Sequence, residues 1–369
     1  MGKKIGKKIG IITLWDSQDN YGQVLQCYAL QRYLIKNHQE AYLIKTVSDT
    51  LAPQSPFRRL LNLPKKVLTY RFWSLLYFRY KLRVFDKRFG IINRHFDDFR
   101  DKFINSTKAV YDISALRNNP LDADIYITGS DQVWGGPSEL YFLNFTPKGK
   151  RKYSYAASFG SNPFTKEGCS KMENYLSDFS EVTVREESGV AKCKILGIDA
   201  TRIIDPTGLL TASDYMSIAE SESSENYILL YLLGNFTDVD IDEVFNFAKE
   251  KKLSVKYIAS QGRNDKYDKI FPSPTEWIGL IANAEYIITN SYHCCMFSIY
   301  FEKKFMALPL TGIFKKMNVR MDTLFGTYHI PRVKSLDELH SSVFDYSSIT
   351  QCLEEDRHKA MKIIDKWIK

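Results

Sequence analysis

Short apolar, β-branched runs that end in a polar cluster and lead into a helical pattern recur along this 369-residue chain. That alternation constrains its fold more than any other feature. In the clearest case, Tyr286–Ile287–Ile288–Thr289 has the composition of a strand buried in a sheet. Asn290 and Ser291 then supply N-cap chemistry, and Met296–Phe297–Ser298–Ile299–Tyr300 forms the body of a helix. The same order appears at Ile9–Leu14, where a polar loop over Asp16–Asn20 follows. Beyond it Val24, Leu25, Tyr28 and Ala29 recur at a spacing that predicts an amphipathic helix. Asp124–Thr128 ends at Gly129–Ser130–Asp131, Lys152–Ser158 at Phe159–Gly160, and Glu181–Val184 at Arg185. Arg202–Asp205 is closed by Pro206, a helix and sheet breaker. Beyond a Ser/Glu-rich stretch over Ser217–Glu225, the runs Tyr227–Leu233, Val255–Ala259 and Phe305–Ala307 continue the series between helical stretches. Strands that alternate with helices and are apolar on both faces belong in parallel sheets.

The length exceeds what one hydrophobic core usually supports. The expected fold is therefore α/β, with two Rossmann-like domains and a central cleft. The amino-terminal domain is expected over 1–215, with a basic aromatic insertion at about 53–105. The second domain is expected over 216–345, and a terminal helix over 346–369 whose Ile363, Ile364 and Trp367 are available for packing. The six cysteines are scattered and form no CxxC pair, which supports neither a zinc site nor a disulfide framework; adjacent Cys294 and Cys295 read as small core thiols. The other histidines lack metal-ligand spacing, and no Walker loop or GxGxxG fingerprint occurs. No metal and no cofactor are expected. Neither a signal-peptide core nor a run of about twenty apolar residues appears, so a cytoplasmic location is expected.

The net charge of +8 is concentrated. Between Phe57 and Phe89 ten Lys or Arg residues stand against a single acid, Asp86, which leaves the remainder near neutrality. Aromatics and leucines interleave with these cations, and on a helix Leu68, Phe72, Leu75 and Leu76 share one face with Arg71 and Arg79 toward its edges. Two readings stay open. One is a helix lying in an anionic membrane interface, which would add the inner face of the membrane to the expected location. In the other, the aromatics pack on the amino-terminal domain and the cations form its solvated side.

His293 falls in the first turn after a strand's carboxyl end, at a helix amino terminus. In open α/β sheets ligands bind at such strand ends, and free N–H groups with the positive dipole end favour anions there. An imidazole beside an anion site suits acid–base chemistry; the competing reading is a packed or capping histidine.

Several of these strand-end clusters, in order, resemble the polysaccharide pyruvyl transferase family. They are Asp19–Asn20–Tyr21–Gly22 with Leu25–Gln26 and Tyr28–Ala29–Leu30, then Gly129–Ser130–Asp131–Gln132–Val133–Trp134 and Tyr155–Ala156–Ala157–Ser158–Phe159–Gly160. Val184–Arg185–Glu186, Ser188–Gly189, Asp205–Pro206–Thr207, Thr289–Asn290–Ser291–Tyr292–His293, Phe301–Phe305 and Asn318–Val319–Arg320 complete the set. The chain departs from the pattern at Cys294, where the family usually has Gly, and at Gln23, where it tends to have Ala. A bulkier residue beside His293 would alter how closely a ligand approaches.

The resemblance implies a fold like that of two-domain GT-B glycosyltransferases. It also implies transfer of a pyruvyl group from phosphoenolpyruvate, the donor substrate, to two hydroxyls of a sugar in a cell-surface glycan precursor. His293 is the implied acid–base residue and Arg185 the implied clamp for phosphate or carboxylate, since a guanidinium binds either in bidentate fashion. Implied substrate contacts are Asn20, Tyr21 and Gly22, then Gly129, Ser130 and Asp131, and finally Ser291, Tyr292, Lys303 and Arg320. Each has a plainer alternative as turn, cap or solvated charge. The expected partners are phosphoenolpyruvate and a sugar acceptor, lipid-linked if residues 57–89 meet a membrane, with no nucleic acid. A nucleotide-sugar glycosyltransferase of the same architecture is the runner-up, and a nucleic-acid-binding protein using the basic segment is the third reading.

Overall fold

The computed structural model describes residues 6–47, 70–90, 92–160, 164–220, 225–234, 237–312, 315 and 318–369. The alternating runs become two parallel sheets. The first contains β1 (Lys8–Ile12), β2 (Glu40–Leu43), β3 (Ile125–Thr128), β4 (Arg151–Ala157), β5 (Glu181–Val184) and β6 (Ala200–Arg202) in the order β2-β1-β3-β4-β5-β6. The second contains β7 (Tyr227–Leu232), β8 (Ser254–Ala259), β9 (Tyr286–Thr289) and β10 (Lys304–Ala307) in the order β10-β9-β7-β8. Every pairing between these strands is parallel. Strand order reverses direction between β1 and β3 in one sheet and between β9 and β7 in the other. A crevice at the carboxyl ends of the strands forms at such switch points.

Helix α1 (Tyr21–Lys36) fills the space between the two sheets. Asn20 caps it, accepting from Gln23 N. Its apolar spacing predicts an amphipathic helix, yet only Arg32 and Lys36 are exposed. The reason is its position. One side of α1 packs on its own sheet, and another meets α9 (Pro274–Asn283) and α10 (Tyr292–Tyr300) of the second domain. A helix with neighbours all round is buried all round. Tyr21 is the main wedge: it stacks on Trp277 at 5.1 Å, meets Tyr231 edge-on at 5.7 Å, and donates its hydroxyl to Pro272 O at 2.7 Å.

The insertion contains α2 (Tyr70–Phe89). Residues 48–69, including Leu68, and the side chains of Arg71, Phe72 and Leu75 lie outside the described residues, so the face expected for them is not described. The described part of α2 packs on the second domain. Phe89 meets Phe271 edge-on at 5.5 Å, and Arg88 reaches Asp268 at 2.9 Å. No helix of the described residues is long and apolar enough to cross a membrane.

The terminal helix α13 (Tyr346–Ile368) runs back from the second domain to the first. Along the way Arg202 of β6 pairs with Asp356 at 2.7 Å, and Arg357 donates to Gly208 O at 2.7 Å. At its end Trp367 stacks on Tyr153 at 4.5 Å and donates its indole N–H to Glu181 at 3.0 Å. One apolar core therefore runs continuously from β1 through α1 and the second sheet to Trp367. Trp367→Ala should cost about 3–5 kcal/mol, read as a lower denaturant midpoint. Because Tyr153 and Glu181 sit in the first sheet, the loss should also appear as weaker proteolytic protection of that domain.

Candidate active site

The carboxyl end of β9 is built to hold a rigid turn. The Asn290 side chain accepts from Leu233 N at 2.7 Å and donates to Leu233 O at 2.8 Å, which ties it to the end of β7. Ser291 caps α10 by accepting from Cys294 N. The cap aims the first turn of α10, and with it His293, at the first domain. His293 is 5 % exposed. Gly22 of α1 lies directly against the imidazole, where a Cβ would collide with the ring. Gly22 thus serves close approach of two helices, not a ligand contact. Cys294, the departure from the family pattern, is buried with its thiol beside Thr289 and Ser298; burial pushes it up to about 12. It points into the core and does not crowd His293.

Across the domain boundary stands Asp205, just past β6 and completely buried. Thr207 donates to its Oδ1 from both N (3.0 Å) and Oγ1 (2.8 Å), while Arg185 Nη1 donates to its Oδ2 at 3.0 Å. Ser130 Oγ lies 3.2 Å from Oδ2, and His293 Nε2 lies 3.4 Å from the same oxygen. That last distance is an ion-pair separation without the geometry of a hydrogen bond, and it leaves Nε2 buried and unsatisfied. Burial would raise the Asp205 carboxyl, but His293, Arg185 and the Thr207 N–H outweigh it and hold the group well below the usual carboxylate range.

Arg185 is 2 % exposed at the end of β5. Its Nε donates to Glu186 at 2.9 Å and its Nη1 to Asp205, while Nη2 stands 3.6 Å from Asp131 with no hydrogen-bond partner. The Tyr292 ring covers the guanidinium at 4.8 Å. Burial opposes its charge, but Glu186, Asp205 and Asp131 dominate and raise its affinity for the proton further. Two of its three nitrogens are committed to carboxylates and the third is buried without a hydrogen-bond partner, so no two-pronged edge stands open in this arrangement.

Arg320, in the first turn of α11 (Val319–Thr327), joins this group. Burial and the neighbouring Arg185 depress its basicity, while Glu186 and Asp131 partly restore it. Two guanidinium groups therefore share three carboxylates, with Arg185 at the centre and His293 meeting the group at Asp205. A cavity of about 20 Å³ lies beside them, lined by Ser158, Gly160, Glu186, Ser188 and Arg320. That is room for about one water, far below the several hundred Å³ of a typical ligand site.

The remaining predicted residues divide. Ser130, Asp131, Ser291 and Tyr292 are in or against the cluster. Gly129, with φ of +130° and no room for a Cβ beside the Tyr155 carbonyl, shapes the β3 turn. Asn20 is a helix cap and Tyr21 an interdomain wedge; neither belongs to the polar cluster. Lys303 stands apart from the cluster: it follows α10 at the amino-terminal edge of the second sheet, where Tyr346 donates to its carbonyl and Glu285 is its charged neighbour. Two residues were missed. Asp205 carries a strand-end signal, since a carboxylate before Pro–Thr reads as a cap. Gln26 belongs to the Leu25–Gln26 piece of the family pattern, but spacing gives it no role; it donates to Thr13 at 2.9 Å and accepts from Ser130 N at 3.0 Å, joining the β1 and β3 turns. Among the described residues no cluster of His, Cys, Asp or Glu could hold a metal ion.

The family model described as polysaccharide pyruvyl transferase matches residues 20–310, which include every member of this cluster except Arg320. The chain belongs to the polysaccharide pyruvyl transferase family. Membership implies a transferase with a sugar acceptor, active in polysaccharide biosynthesis. No curated protein matches the chain at a significant level. Among solved structures, a candidate UDP-N-acetylglucosamine 2-epimerase from Listeria monocytogenes is similar in fold. It is 11% identical, with 97% of this chain and 95% of that one covered and a TM-score of 0.51. The UDP-GlcNAc 2-epimerase of Methanocaldococcus jannaschii matches at 12% identity, over 94% and 92% of the two chains, with a TM-score of 0.48. The glycosyltransferase SnogD of Streptomyces nogalater matches at 9% identity, over 98% and 99%, with a TM-score of 0.42. The fold is of the GT-B type.

Stability should report the buried carboxylate directly. A depressed Asp205 contributes stability that is complete above the ordinary value of 3.8 and is lost as pH falls below it. Denaturant midpoints of the wild type should therefore drop steeply at the acid end. Asp205→Asn, which leaves Arg185 underpaired, should be about 3–5 kcal/mol less stable near neutrality and show a flatter acid limb.

Proposed function

We propose that this protein moves the pyruvyl group of phosphoenolpyruvate onto two hydroxyls of a sugar in a cell-surface glycan precursor, such as one for capsule or exopolysaccharide, and forms a cyclic ketal. The observation that carries the reading is the buried meeting of His293 with Asp205 and Arg185, contributed by opposite halves at facing strand ends. The donor brings a phosphate and a carboxylate. The unpaired Arg185 Nη2, Arg320 and the positive end of α10 offer it counter-charge.

The chemistry needs one proton delivered to carbon. Protonation of the methylene carbon draws the electron pair of the enol double bond and leaves a cationic carbon. One sugar hydroxyl adds there, phosphate departs with the C–O bond pair, and the second hydroxyl closes the ring. Two hydroxyl protons are released; one replaces the proton given to carbon and the other leaves with phosphate. His293 is the shuttle in this reading. Asp205, held ionised, orients the imidazole and stabilises its cationic form. The acceptor is read as lipid-linked and presented at the inner face of the membrane.

Incubation with phosphoenolpyruvate and a panel of lipid-linked and nucleotide-linked sugars should yield a pyruvyl adduct by mass spectrometry. Phosphoenolpyruvate, and not nucleoside diphosphates, should raise the melting temperature. His293→Ala should fold and lose transfer, and His293→Gln, which retains hydrogen bonding without proton transfer, should be equally inactive. A folded His293→Ala enzyme that turns over near the wild-type rate removes the imidazole from the reaction.

Arg185→Ala should weaken donor binding on the order of tenfold to a hundredfold while sparing acceptor binding. Arg185→Lys should recover only part, because an ammonium cannot satisfy Glu186 and Asp205 at once and still face a ligand. Circular dichroism establishes that each variant is folded before titration. An unchanged donor dissociation constant in both refutes the contact.

A further inference from the structure

Helix α2 is held by one face and leaves the opposite face outward. On the held side Phe85 is fully buried, with Phe271 at 6.1 Å. A Cβ on Gly262 would touch Leu82, and Asn264 donates to Lys81 O at 2.8 Å. On the outward side Trp73, Leu76, Tyr77, Tyr80 and Val84 are 61, 42, 60, 63 and 38 % exposed. At 100° per residue these five fall within one stripe about 100° wide. Lys87 falls within that stripe near one edge, and Arg83 and Arg79 follow outside the same edge, all exposed. Lys81 borders the other side with its ammonium 4.9 Å over the Tyr77 ring.

We propose that this stripe is a membrane-docking surface for an anionic bilayer, with α2 lying in the plane of the interface. Rings with an apolar body and a polar tip settle at the headgroup level. A cationic margin is drawn to an anionic leaflet, and a helix too polar to span fits a surface orientation. A second copy of this chain fits poorly, because a two-fold contact over the stripe sets Arg79, Arg83 and Lys87 against their own kind. Trp73, Tyr77 and Tyr80 would also stack bases, but the aliphatic Leu76 and Val84 set among them favour acyl chains, and oligonucleotide binding is an outcome of the test. The inference deepens the reading of a lipid-linked acceptor, but vesicle binding itself is measured without donor or acceptor.

The full chain is mixed with phosphatidylcholine vesicles with and without phosphatidylglycerol, then sedimented. Binding should require the anionic lipid, fall at high salt, and weaken at least ~tenfold when Arg79, Arg83 and Lys87 become Glu. Trp134, Trp277 and Trp367 are buried and Trp15 is half-buried in the first domain, so a blue shift of tryptophan emission on binding should disappear in Trp73→Phe. Trp73→Ala/Tyr77→Ala/Tyr80→Ala should lose vesicle binding yet transfer normally to a water-soluble acceptor. The proposal is overturned if the wild type stays in the supernatant with anionic vesicles at low salt, or if either set of substitutions leaves binding unchanged. It is equally overturned if the stripe instead mediates vesicle-free dimerisation in gel filtration or oligonucleotide binding in a mobility shift. Failure of vesicle binding with intact transfer leaves the reaction standing; the reverse leaves the surface standing.

Discussion

Everything at the centre of this molecule is arranged around one buried carboxylate. Asp205 has no exposed surface, so it must be fully satisfied by protein groups. Its partners arrive from the β3 turn, the end of β5, its own loop and, across the boundary, the first turn of α10. Removing it from water is costly, and the surrounding donors must offset that cost at fixed distances. Those distances set how the two domains meet when the cleft is shut. The same constraint makes the site chemically asymmetric. Of these partners His293 alone approaches the carboxylate from the second domain, at 3.4 Å, and it is the proton carrier in the proposed reaction.

Much of the fold was legible because parallel strands buried on both faces announce themselves as continuous apolar runs, as at Tyr227–Leu232 and Tyr286–Thr289. His293 was legible for a related reason: a strand, a cap and a helix body leave little freedom for the residue after the cap. Arg185 was legible as a strand-end cation but not as one already engaged by Glu186 and Asp205, since pairings across distant loops leave no trace in spacing. Helix α1 reads as amphipathic because its periodicity records the sheet beneath it. The second domain above it supplies neighbours that periodicity cannot register. Lys303 fails for the opposite reason, being close to His293 along the chain but separated from it by a rigid helix.

The basic insertion gives a similar lesson about faces. Composition identifies a cationic, aromatic helix, and either face would serve as the inner one on sequence alone. What decides is contact with the second domain, where Phe271 and the 262–268 loop select Phe85 and Phe89 as the buried set. The aromatics left over are then a consequence of docking, not of pattern.

Trp367 lies against Tyr153, a strand residue translated long before it. The first domain therefore leaves the ribosome with a gap in its core that no nearby segment can fill. Until the second domain and α13 are made, that apolar hollow remains open to whatever else can enter it. The finished molecule is thus closer to a clasped loop than to two beads on a string, with α13 anchored in both halves. Opening of the cleft would then proceed by bending and sliding of packed helices, not by free swinging of the halves.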